Sequence, residues 1–128
     1  MRRVLVVEDA ESVRKGILDA LRGIKDLDVT EAEDGNRGFA LLQNQPQPYD
    51  LVLMDYQMPG MTGIDILRSL RDKGRALSCP VVMITTEFES RGSEAKDLNI
   101  VAWIIKPISK ARLEQLVIQI FEDLDAPV

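Results

Sequence analysis

The chain has no histidine. The commonest general base and the commonest metal ligand are therefore absent, and any chemistry must run on carboxylates, hydroxyls and lysine. It has one cysteine, Cys79, which excludes an internal disulfide. Beside Pro80 and without a partner for pairing or thiolate chemistry, Cys79 reads as a small residue ahead of a strand. No apolar run is long enough to span a bilayer and no charged-then-apolar leader opens the chain, so the cytoplasm is the expected compartment and no membrane contact is expected. Blocks of like charge are missing too: 16 Lys and Arg are interspersed with 21 Asp and Glu, for a formal net charge of -5. Phosphate backbones reward concentrated Lys and Arg, so direct nucleic-acid binding is not expected.

What is present suits one compact domain, 1–128: the chain has 128 residues, of which 45% are hydrophobic, and shows no linker, repeat or low-complexity segment. Val4 to Val7, Leu51 to Met54, Val81 to Ile84 and Val101 to Ile105 are apolar runs too short for helices and rich in β-branched residues. Lacking alternation, they predict strands buried on both faces, as in a parallel sheet. Val29 to Ala32 supplies a further strand.

Helical spacing appears between the runs, in Val13, Ile17, Leu21 and Ile24, in about Asn36 to Gln43, in Ile64, Leu67 and Leu70, and around Gly92 to Leu98. The last pattern, Leu113, Leu116, Val117, Ile120 and Leu124, has Ser109 as its expected N-cap. Gln45 to Pro48 reads as a surface loop. Five strand–helix units with short connections predict an α/β fold: a doubly wound, five-stranded parallel sheet with helices on both faces.

In such sheets ligands gather at the carboxyl ends of the strands, near the point where strand order reverses. The polar residues of this chain fall there. Glu8 and Asp9 follow the first strand, Asp55 the third, Thr85 and Thr86 the fourth, and Lys106-Pro107 the fifth. Three converging carboxylates repel one another unless a cation intervenes, and hard oxygen ligands suit Mg²⁺. A hydroxyl and an ammonium nearby are suited to phosphoryl oxygens. Each residue also has a bland reading: Glu8-Asp9 as acids of a helix N-cap region, Thr85 as a strand end, Lys106 as a solvated cation or an ion-pair partner.

These residues, in this order, resemble the receiver domain of two-component response regulators over nearly the whole chain. The stretch Asp55-Tyr56-Gln57-Met58-Pro59-Gly60-Met61-Thr62-Gly63 fits the family's D-x-x-M-P-x-M-x-G pattern, and Glu8-Asp9, Thr85 and Lys106-Pro107 complete its signature. The resemblance implies a flavodoxin-like receiver fold in which Asp55 is the phosphoacceptor. It implies that Asp9, Asp55 and the backbone carbonyl of Gln57 bind Mg²⁺ while Glu8 acts through water, and that Lys106, set by a cis bond to Pro107, pairs with phosphoryl oxygens. Thr85 and Trp103 would be the switch pair, Trp103 having core packing as its bland alternative. Gln57 and Glu87 would tune the lifetime of the phosphorylated state.

The donor would be a sensor histidine kinase or phosphotransfer protein, since the chain has no histidine of its own. The output would be a downstream target or domain engaged through the fourth helix, fifth strand and fifth helix, with a phosphatase as a further partner and a monomer or weak homodimer as the unit. The domain would act as a switch and not as an enzyme. Two departures stand out: Thr86 replaces the family's usual small residue, and Trp103 is bulkier than the usual Tyr or Phe. A haloacid-dehalogenase-type phosphatase would need an acid where Gln57 stands. A nucleotide-binding module would need a glycine-rich loop where the acidic Glu8-Asp9 stands. The chain ends about where the fifth helix should, as expected either for a stand-alone regulator of the chemotaxis type or for the receiver of a larger protein.

Overall fold

The computed structural model describes residues 1–86 and 97–127. Glu87 and most of the helical pattern around Gly92 to Leu98 lie outside the described residues; the last two residues of that pattern, Asp97 and Leu98, belong to a turn. The strands of the main sheet are β1 (Arg2–Val7), β2 (Leu27–Ala32), β3 (Leu51–Asp55), β4 (Val81–Thr85) and β5 (Ile100–Ile105), and Gln57–Met58 and Met61–Thr62 form a separate short antiparallel pair. The helices among the described residues are α1 (Glu11–Leu21), α2 (Gly35–Gln43), α3 (Gly63–Asp72) and α4 (Lys110–Asp125). All strand pairs in the sheet are parallel and the order is β2-β1-β3-β4-β5. The chain therefore leaves β1 toward one edge and returns to β3 on its other side, which puts the reversal of strand order between β1 and β3.

The continuous apolar runs are explained by two cores, one on each face. Val4, Val6, Leu51, Leu53, Val82 and Ile84 face α1 and α4, packing on Ile17, Ala20, Leu21, Leu113, Val117, Ile120 and Phe121. Their neighbours Leu5, Val7, Val52, Met54, Val81 and Met83 face α2 and α3, against Leu42, Ile64, Ile66, Leu67 and Leu70. Side chains alternate across a strand, so a strand covered on both faces needs an apolar residue at every position. Each fully buried Leu or Ile contributes roughly 1.5–3 kcal/mol against exposure.

The edges differ from the centre. β2 carries Asp28 and Glu31 outward, which discourages pairing with another sheet. β5 was expected to be buried on both faces like the other strong runs, but it is an edge strand: its register slips between Val81 and Val82, skipping Val101, which is 56% exposed. An edge strand has a neighbour on one side only, and a bulge there turns a residue to solvent.

Helix starts follow their capping residues. Asp34 accepts from the Arg37 amide at 2.7 Å, Thr62 and Asp65 form a reciprocal capping box, and Ser109 accepts from the Arg112 amide as its position predicted. α1 stops at Leu21, one turn before Ile24, which packs on the core from the following turn.

Candidate functional site

The carboxyl ends of β1, β3, β4 and β5 bring the expected residues together beside the reversal between β1 and β3. Asp55 ends β3, is 2% exposed, and pairs in register with Ile84, one residue before Thr85. Glu8 follows β1 and is fully buried, while Asp9 is exposed. One carboxylate oxygen from each of Glu8, Asp9 and Asp55 lies within 4.8 Å of the others. Neither Glu8 nor Asp9 caps α1: the N-cap is Ala10, with no side-chain cap bond. The pair stands just ahead of the helix start, and Glu8 Oε2 accepts the Ala10 amide at 3.4 Å, so its electrostatic role at the start of α1 stands beside the metal reading.

Lys106 is delivered by β5, whose end is tied to β4 through the Lys106 amide donating to the Thr85 carbonyl at 2.8 Å. The Lys106-Pro107 bond is cis, as the resemblance implied. The ammonium lies 3.0 Å from Glu8 Oε1 and 3.4 Å from Asp55 Oδ2. Thr85 is buried at the end of β4, and Thr86 beside it is exposed. Gln57 is exposed and its amide donates to Asp55 Oδ1 at 3.3 Å. Trp103 is half-buried, its ring 6.0 Å from that of Tyr56 and tilted by 53°.

The loop after Asp55 has a steric reason for its glycines. Gly60 sits at φ +85°, where a side chain is strained, and a Cβ on Gly63 would lie 2.8 Å from the Met83 side chain and 3.0 Å from the Asp55 carbonyl. Gly63 donates to the Tyr56 carbonyl at 2.7 Å, and the Tyr56 amide donates to Ile84 at 2.7 Å. The main chain on the far side of Asp55 is thus pinned to β4 and to the start of α3.

Charge is unevenly compensated. Burial pushes the Glu8 carboxyl up to about 7, reinforced by the neighbouring Asp55 carboxylate and only partly offset by Lys106. Burial opposes the charge on Lys106, but its close ion pair with Glu8 and the neighbouring Asp55 carboxylate carry its pKa above the ordinary value. Glu8 Oε1 is buried and accepts no hydrogen bond despite the nearby ammonium. A buried carboxylate oxygen without a donor, beside two further carboxylates, is a set of hard ligands that fits a small divalent cation.

One residue with a part in this arrangement escaped the sequence reading. Arg14, on α1, donates from Nη1 to the Glu8 carbonyl at 2.8 Å and from Nε to Glu31 Oε1 at 3.1 Å. The available signal was its place beside Val13 and Ile17, next to the apolar stripe of an amphipathic helix, where an arginine needs polar partners.

Comparison with known proteins agrees with this geometry. The family model described as the response regulator receiver domain matches residues 4–118. The chain is 32% identical over 121 residues to the chemotaxis protein CheY of Pseudomonas aeruginosa, covering 94% of this chain and 96% of that one. It is also 32% identical to chemotaxis protein CheY-3 of Vibrio cholerae, over 95% of this chain and 93% of that one. Among solved structures it is similar to the chemotaxis response regulator CheY4 of Vibrio cholerae, with a TM-score of 0.79 and 27% identity over 94% of this chain and 98% of that one.

Proposed function

The chain belongs to the response regulator receiver domain family, a family of two-component signalling, and from that premise we propose that it is switched by transfer of a phosphoryl group to Asp55. The observation that carries the reading is the buried Asp55 carboxylate at a strand end, with the Lys106 ammonium 3.4 Å away and two further acids beside it.

The Asp55 carboxylate attacks phosphorus in line with the bond to the donor. A P–O bond to Asp55 forms as the P–N bond of a phosphohistidine, or the P–O bond of a small acyl phosphate, breaks. The electron pair leaves with the donor. Lys106, held between Glu8 and Asp55, turns to the phosphoryl oxygens as the Asp55 charge is spent, and Thr85 offers its hydroxyl from the adjacent strand end. Asp9, Asp55 and the Gln57 backbone carbonyl would hold Mg²⁺, with Glu8 acting through water. Bound there, the ion would offset the negative charge that builds on the phosphoryl oxygens.

The reaction modifies the chain itself, so the domain acts as a switch and not as a turnover enzyme. Thr85 and Trp103 relay the change to the surface that includes β5 and α4, which engages a target or output domain. Gln57, exposed beside Asp55, sets the lifetime of the acyl phosphate; Glu87 is assigned the same role from the resemblance alone. A sensor histidine kinase or phosphotransfer protein supplies the phosphoryl group in the cytoplasm, and a phosphatase shortens the signal. No described helix is long and apolar enough to cross a membrane.

Intact-mass measurement after incubation with acetyl phosphate tests the reading. A phosphoryl adduct is expected with Mg²⁺, absent with EDTA and absent in Asp55→Asn. An unmodified wild type in the presence of metal, or an adduct that persists in Asp55→Asn, overturns it.

A further inference from the structure

We propose that Arg14 is a positioning residue for the metal-binding acids, holding the Glu8–Asp9 loop through the main-chain carbonyl of Glu8; this rests on the metal reading above. The peptide units on both sides of Glu8 are tied down. Its amide donates to the Ala32 carbonyl of β2 at 3.0 Å, and its carbonyl accepts from Arg14 Nη1 at 2.8 Å. The Arg14 amide in turn donates to the Ala10 carbonyl at 2.9 Å. One residue of α1 therefore closes the loop from 8 to 10 twice, once by its main chain and once by its guanidinium.

Such a clamp has work to do here. Three carboxylate oxygens sit within 4.8 Å of one another, and their repulsion pushes the loop that carries two of them away from Asp55. α1 opens without a side-chain cap from its N-cap residue Ala10, whose amide makes a long 3.4 Å bond to Glu8 Oε2. Arg14 reaches back over this junction, with its side chain only 16% exposed.

The direction of the arginine also matters. Its charge meets a carbonyl and is balanced by Glu31 at 3.1 Å, so it steadies the loop without neutralising the acids, and the cluster keeps its negative charge for a cation. The planar fork of donors lets one guanidinium serve both acceptors, which an ammonium does less well. An ion pair with Glu31 alone would contribute little. The bond to a main-chain carbonyl adjoining a ligand is the kind of outer contact that fixes metal ligands in place.

The test is a titration of the ¹⁵N-labelled full chain with MgCl₂, without phosphodonor, following the Asp9 and Ala10 amides, with thermal unfolding of each protein in EDTA. Arg14→Met keeps the apolar stem and removes the donors; it is expected to weaken Mg²⁺ binding by about tenfold. Arg14→Lys is expected to recover part of that loss and remain about threefold weaker than wild type, and Glu31→Gln, which retains an acceptor, to stay within about twofold. A purely structural role for Arg14 would lower the unfolding temperature and leave Mg²⁺ affinity unchanged, and that result overturns the inference. Should Arg14→Met not fold, wild-type affinity in Arg14→Lys overturns it equally. If the wild type itself binds no Mg²⁺, the metal reading fails and this inference with it; if the wild type binds and Arg14→Met binds as tightly, this inference alone fails.

Discussion

At the amino end of the sheet both arginines of β1 have a carboxylate partner, and at the carboxyl end two buried acids share one ammonium. Arg3, the second residue of β1, has its guanidinium 4.6 Å over the Tyr49 ring, donating to the Gln47 carbonyl and lying 3.9 Å from Asp28. Its amide donates to Asp50 Oδ2 at 2.7 Å while the Asp50 amide donates to the Arg3 carbonyl at 2.7 Å. Arg2 pairs with Asp125 and covers the Phe121 ring. At the opposite end Glu8 and Asp55 are buried against Lys106, and Glu8 Oε1 goes without a hydrogen bond. The same strands, in the same register, thus run from a satisfied end to an unsatisfied one. A fold that needed only stability has no reason to bury two carboxylates side by side; a site that must take a cation and a phosphoryl group has one.

The contrast is sharpest in its pH dependence. Glu8 titrates at about 7 in the folded chain against an ordinary 4.5, so the folded state binds the proton more tightly than the unfolded one. The stability this gives is fully present below pH 4.5 and is lost as the pH rises through about 7. In EDTA, urea unfolding is expected to show about 2–3 kcal/mol more stability at pH 5 than at pH 8 from this group. The chain has no histidine, which leaves the window free of the side chain that ordinarily titrates there. Glu8→Gln is expected to flatten the slope; a slope that survives in that variant places its source elsewhere.

Removing the single ammonium should cost somewhat less. Lys106→Met leaves Glu8 and Asp55 buried without a cation, and in EDTA at pH 8 it is expected to lose about 2 kcal/mol, below the range for a fully enclosed pair because the lysine side chain retains 19% exposure. At pH 5 the loss is expected to shrink, since a protonated Glu8 needs no partner charge. An equal loss at both pH values would mean that packing of the lysine stem, and not charge, is what the variant removes.

The two ends were not equally legible in the sequence. The carboxyl end announced itself, because Glu8-Asp9, Asp55, Thr85 and Lys106 each interrupt or end an apolar run where the period of a buried strand calls for another hydrophobe. The central strands were legible for the same reason. β5 misled because Val101 to Ile105 is as apolar as the buried runs, and composition does not say on how many sides a strand has neighbours. Ile24 fits the helical stripe of α1 yet lies beyond its end, since a residue packing on the core from a turn shares that spacing. Arg14 stayed hidden because its partner at the site is the Glu8 main-chain carbonyl, and the Arg3–Asp50 pairing because it joins distant residues through main-chain groups; such groups carry no residue-specific signal.

That hidden pairing gives the smallest of the expected effects and the cleanest contrast. Asp50 accepts the Arg3 amide as the first strand enters the sheet and is itself held by the Arg3 carbonyl, so the two residues stitch β1 to the start of β3. In Asp50→Ala the Arg3 amide loses its acceptor while the reciprocal main-chain bond remains. A charge-assisted bond to a half-buried amide is worth about 1–2 kcal/mol, and urea unfolding should register that loss equally at pH 5 and pH 8. Mg²⁺ affinity should stay at the wild-type value, because the substitution lies at the far end of β1 from the acids. A loss of metal binding in this variant would mean that the ends of the sheet are coupled along β1, with the satisfied end setting the geometry of the unsatisfied one.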